Sequence, residues 1–180
     1  PAWGGAAAGW DTGGAATNWP PALGWTANDP VAQSFMFTQA GFLTSYDVYF
    51  QGVDLAAGNI WCEVRTTENG VPTGVVLDHQ DFAPSGIPVS EDASTPHTVT
   101  LKCPVYLKDN EFYAIVVGGA SPNTRIWVSK VGDPLVDDPG KIMETQGSLG
   151  SSFRSQNGRT WTAEQWEDLK YEVRAAWFNQ

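Results

Sequence analysis

Apolar and polar positions alternate with a period of two through most of this chain. The pattern is clearest at its end, where Tyr171, Val173, Ala175 and Trp177 interleave with Lys170, Glu172 and Arg174. One face apolar and the other charged is the signature of a half-buried closing strand. Residues 31–38, 42–51, 59–67, 75–80, 97–101, 111–117 and 125–130 read as further strands, with Pro104-Val105-Tyr106-Leu107 as a short extended stretch between them. In the second run Leu43, Ser45, Asp47 and Tyr49 fall opposite Phe42, Thr44, Tyr46, Val48 and Phe50. Turn signals separate the runs: Thr67-Glu68-Asn69-Gly70, Lys108-Asp109-Asn110, and Asn157-Gly158, whose two residues tolerate positive φ and so predict a tight turn between two extended arms. Only residues 163–169 suggest a helical turn, with Thr162 as N-cap and Glu164 and Gln165 behind it. Short strands at regular spacing predict an all-β fold, an antiparallel β-sandwich of jelly-roll type, over residues 29–180.

Residues 1–28 break the pattern. Trp3, Trp10, Trp19 and Trp25 are set among Gly, Ala and Pro with neither a strand nor a helix period. A flexible linker is built from Gly and Ser, whereas tryptophan supplies large apolar anchors. This stretch reads as an extended arm that docks on a neighbour, or that folds back on its own domain. Nothing in it reads as a signal peptide, and Pro1 reads as the start of a processed or partial chain.

Composition narrows the function. With 20 acidic against 10 basic residues the net charge is −10, a field that repels a phosphate backbone and argues against nucleic-acid binding. No apolar run reaches the ~18–20 residues that span a bilayer. Alternation turns Cys62 inward with Ile60 and Val64, and Cys103 inward with Val99 and Leu101, either as two buried thiols or as a bridged pair. Two cysteines with His79 and His97 do not make a zinc site, and nothing calls for a cofactor. Asp133, Asp137 and Asp138 share a short loop that suits either a hard cation or simply a solvated turn stiffened by Pro134 and Pro139. No nucleophile–base pairing is legible, and a catalytic carboxylate pair cannot be read from spacing alone, so an enzyme is not the expectation.

Tryptophans carry the sharper functional idea. Trp61 and Arg65 fall on the outward side of one strand, Arg125 and Trp127 neighbour one another on another, and Arg159 and Trp161 follow the Asn157-Gly158 turn. Exposed indoles stack on the C–H faces of sugar rings while nearby polar groups hold the hydroxyls, so these six residues are the candidates for glycan contact or for an interface. The competing reading is that the same tryptophans cover the second face of the sandwich.

Several ordered stretches also carry a resemblance: Asp29-Pro30-Val31-Ala32-Gln33-Ser34-Phe35, Gly41-Phe42-Leu43-Thr44-Ser45, Glu63-Val64-Arg65-Thr66, Asn69-Gly70-Val71-Pro72-Thr73-Gly74, Pro104-Val105-Tyr106-Leu107, Glu111-Phe112-Tyr113-Ala114, and residues 151–162 with 168–178. Together they resemble a β-sandwich module of tailed-bacteriophage structural proteins, the tail-fibre and baseplate-associated components, and the layout is similar to galactose-binding-like jelly rolls. The resemblance implies a structural or adhesion module on a virion, joined to other virion proteins and able to form a homo-oligomer. A carbohydrate-binding module that recognises host surface glycans is the alternative.

Overall fold

A computed structural model of the chain describes residues 29–136, 140–145 and 149–177, and the backbone of 7–9. Its strands are β1 (Ala7–Gly9), β2 (Val31–Met36), β3 (Gly41–Gly52), β4 (Ile60–Glu68), β5 (Val71–Phe82), β6 (Pro96–Leu107), β7 (Phe112–Gly119), β8 (Arg125–Lys130), β9 (Ser152–Arg154), β10 (Thr162–Glu164), β11 (Glu167–Leu169) and β12 (Tyr171–Ala176), with a 3-10 turn at Pro84–Gly86. They form two antiparallel sheets. One runs β10-β9-β2-β7-β4-β5; in the other β3 lies between β6 and β12 and leads through β8 to β1, with β11 on β8. The chain crosses from sheet to sheet at most of its connections, as in a jelly roll.

Alternation predicts the interior well. Val31, Phe35, Ile60, Cys62, Val64, Ile115 and Val117 from the first sheet meet Leu43, Tyr46, Val48, Phe50, Val99, Ile126, Val128 and Leu169 from the second, with Tyr171, Val173 and Ala175 packed against them. The β4–β5 hairpin turns through Asn69 and Gly70 at φ 52° and 80°, the pair of positive values that a type I′ turn demands. Between the sheets, buried Gln33 of β2 donates to Asp168 at 2.9 Å and accepts from the Leu169 backbone N–H at 2.9 Å.

Three expectations are corrected. Cys103 is exposed and both cysteines are free thiols. The pairing of β3 with β6 jumps from Leu43↔Val105 to Ser45↔Thr100; within the bulged stretch Leu101 stays in the core, while Lys102, Cys103 and Pro104 are exposed. That bulge also sets Leu43 on the same side as Tyr46 and Val48, against strict alternation. Residues 163–169 form no helical turn: β10 and β11 flank a turn at Gln165 and Trp166. Glu167–Leu169 is drawn instead into pairing with Lys130, Ser129 and Val128. Finally, Asn157-Gly158 is not a two-residue hairpin; β9 and β10 pair, but the loop 155–161 joins them.

On the outer face of the second sheet, Asp47 is buried, held by Arg174 (Nη1 to Oδ1 2.8 Å) and by the Thr98 hydroxyl at 2.6 Å. Burial pushes its carboxyl up, and the bonds from Arg174 and Thr98 outweigh that and lower it.

Candidate functional site

The six candidate residues separate into three groups. Trp61, Arg65 and Trp161 come together on the outer face of the β10-β9-β2-β7-β4-β5 sheet. Trp61 and Arg65 share one face of β4, and Trp161 arrives from the loop before β10. The Arg65 guanidinium lies 6.0 Å from the Trp61 ring and 5.9 Å from the Trp161 ring. Beneath the indoles the sheet carries Ala32, Ala114, Val116 and Phe153, a shallow apolar floor. Gly118 completes it: a Cβ there would stand 2.2 Å from the Trp61 ring, so only glycine lets the indole lie flat.

Polar contacts lock this cluster. Arg65 Nε and Nη2 both reach Glu63 Oε2 at 2.6 Å, and Glu63 Oε1 meets His79 Nδ1 at 2.8 Å. His79 Nε2 sits 3.1 Å from Asp81, and its ring stacks on Trp61. Partial burial draws the His79 imidazole down, but the bonds to Glu63 and Asp81 outweigh it and raise the pKa above the ordinary histidine value. The indoles therefore spend their faces on Arg65 and His79, and the cluster is a packed second face more than an open platform.

Trp127 is buried, at 4 % exposure. It packs with Tyr49 and Ala93, and its Nε1–H donates to Ser90 O at 2.9 Å. Strand parity does place it opposite Ile126 and Val128, but the chain around Ser90–Ala93 packs over that face and buries the indole. Arg125, beside it, and Arg159, on the loop 155–161, are exposed and belong to neither cluster. Trp3, Trp10, Trp19 and Trp25 lie outside the described residues.

What Arg65 does hold is the loop 155–161: its Nη1 donates to Gly158 O at 2.9 Å. The loop is ordered from within as well. Ser155 Oγ accepts the Gly158 N–H at 2.9 Å, Asn157 Oδ1 accepts the N–H groups of Arg159 and Thr160 at 2.9 and 2.7 Å, and Gly158 takes φ 67°. A short polar side chain that satisfies successive backbone donors is how Ser and Asn build a fixed turn.

Beside this loop opens a half-open cleft of about 760 Å³. Asn157, Thr160, Arg154, Glu167, Glu164 and Trp166 are among the residues that line it. Arg154 Nη2 bridges both Glu167 oxygens at 2.9 and 3.2 Å, while Arg154 Nε is buried with no hydrogen-bond partner among the described residues. Trp166 is 66 % exposed, the most exposed tryptophan among the described residues. Reading 163–169 as a helical turn hid it; the signal available was its place between two short polar strands, where a turn presents a side chain outward.

Among the described residues no group of three or more His, Cys, Asp or Glu side chains is arranged to hold a metal ion. In the loop 132–140, Leu135 N bonds Lys141 O and Met143 N bonds Asp133 O, both at 2.9 Å, while Asp137 and Asp138 lie outside the described residues. Compared with known proteins, the chain matches no family model and no curated sequence, so no relative bears on the phage-module resemblance.

Proposed function

We propose that this chain is a non-catalytic adhesion module that holds carbohydrate in the cleft beside the loop 155–161. The observation that carries this reading is the exposed Trp166 indole lining a cleft of about 760 Å³ that amide, hydroxyl, carboxylate and guanidinium side chains also line. Pyranose rings need those two things together: an aromatic face for their C–H groups and fixed donors and acceptors for their hydroxyls. The volume falls in the range typical of small-ligand sites. Arg65, through Gly158, is a positioning residue for the wall of that cleft. Display of such a module on a phage particle, as the sequence resemblance implies, is part of the same proposal and would set the ligand as a host surface glycan.

The test is a glycan array of bacterial surface oligosaccharides probed with the full chain, with hits measured by calorimetry. Trp166→Ala and Asn157→Ala are expected to weaken a hit at least tenfold, and Trp127→Phe to leave it unchanged. Saturable binding that ignores Trp166→Ala, or no saturable binding across the array, overturns the proposal.

A further inference from the structure

The flank of β8 accepts a strand from outside the sandwich. Ala7–Gly9 lies antiparallel against it, with Ala7 opposite Trp127, Ala8 opposite Ile126 and Gly9 opposite Arg125. On its other flank Ile126 pairs with Phe50 of β3. This end of β8 is thus an interior strand only while β1 is in place; without it, one flank is an open edge ready to pair with an added strand. The acceptor is firmly seated, since Ile126 and Trp127 are buried at 1 % and 4 % and Trp127 is tied to Ser90.

The donor has a different character. Ala-Ala-Gly brings no large side chain to select one particular surface, so its recognition is by main-chain pairing, the mode of strand addition. Residues 10–28 separate it from the start of the sandwich at Asp29. Fully extended, that tether reaches roughly 70 Å at about 3.5 Å per residue, several times the roughly 15 Å radius of gyration of a domain this size. The same register can therefore form between two copies with every backbone pairing retained, which is the condition for exchange of an identical element between protomers. We propose that in the assembled protein the β8 flank of one copy is filled by the Ala7–Gly9 strand of a second copy.

Cross-strand cysteines test this in the full chain. In a Cys103→Ser background, which removes the exposed thiol, one preparation carries Gly9→Cys and another Arg125→Cys. Facing Cα atoms of an antiparallel pair stand about 4.5–5.5 Å apart, within disulfide range. Mixed and mildly oxidised, the two preparations are expected to give a crosslinked heterodimer as the main product, its yield rising with protein concentration. Adding Ala8→Pro to the Gly9→Cys chain, which disrupts strand pairing, is expected to cut that yield at least tenfold. The proposal is overturned if the mixed single-cysteine chains stay monomeric while a chain carrying both cysteines closes on itself, or if the crosslink survives Ala8→Pro.

Discussion

Removing the Arg65 side chain tests how the second face of the sandwich is held and what it holds. In Arg65→Ala, Glu63 keeps only His79 as a side-chain partner among the described residues, and its side chain is 10 % exposed, as is that of Arg65. Deleting one member of a buried ion pair costs about 3–5 kcal/mol, mostly because the remaining charge stays buried and uncompensated. The slight exposure of both groups and the persistence of His79 put the expected loss at the lower end, about 3 kcal/mol, including the contacts to two indole faces at about 0.5–1 kcal/mol each. For a domain of this size that is a fall in Tm of about 6–12 °C. The double variant Glu63→Gln with Arg65→Met keeps volume and removes both charges, and is expected to lie within about 1.5 kcal/mol of the native chain. Urea unfolding at constant m measures both. A local readout accompanies them: amide exchange at residues 155–160 is expected to accelerate in Arg65→Ala, because Gly158 O loses its donor. A loss below about 1 kcal/mol, an equal loss in the double variant, or unchanged exchange in the loop would refute the reasoning.

Gly118→Ala forces the Trp61 indole off the sheet and is expected to cost about 1–3 kcal/mol, read by denaturation. Gly150→Ala should cost more, because the nearest atom to its new Cβ is the Ser34 backbone oxygen, which cannot swing aside. A thiol reagent at neutral pH is expected to modify Cys103 at once and Cys62 only on unfolding, since burial holds the Cys62 thiol protonated. His79 has a folded pKa above 6.5, so its contribution to stability is complete below pH 6.5 and disappears as pH rises through the folded value. Unfolding free energy measured across that window should decline by an amount missing from His79→Gln; comparison with the variant is needed because burial lowers the His97 pKa, which gives the opposite slope.

The sandwich was legible because its inner faces obey simple alternation. Tyr171, Val173 and Ala175 turn inward as their pattern predicts, and Asn69-Gly70 turns where two positive φ values are required. What alternation cannot see is an interruption of register. The bulge opposite Leu43 exposed Cys103, and no local feature of residues 99–103 announces it. It also cannot see what comes to lie over an outer face: Trp127 is covered by chain some 37 residues away in sequence. The site was half legible for the same reason. Parity put Trp61 and Arg65 outward, but their use as a clamp on the loop 155–161 depends on Gly158, 93 residues downstream of Arg65. Trp166 was missed because Glu164, Gln165 and the N-cap pattern at Thr162 favour a helical turn locally, and pairing of Glu167–Leu169 with β8 overrides that preference.

The pairing of β12 with β3 has a consequence for the order of events during synthesis. Asp47 must wait for Arg174, 127 residues later, and Gln33 for Asp168, 135 residues later. Until the ribosome has released those last strands, β3 presents an unpaired border and a carboxylate without its counter-ion. Distant pairings of this kind form slowly, so the nascent chain passes through a long sticky interval in which its own siblings are competing partners. A chain stopped short of Tyr171 would remain in that interval.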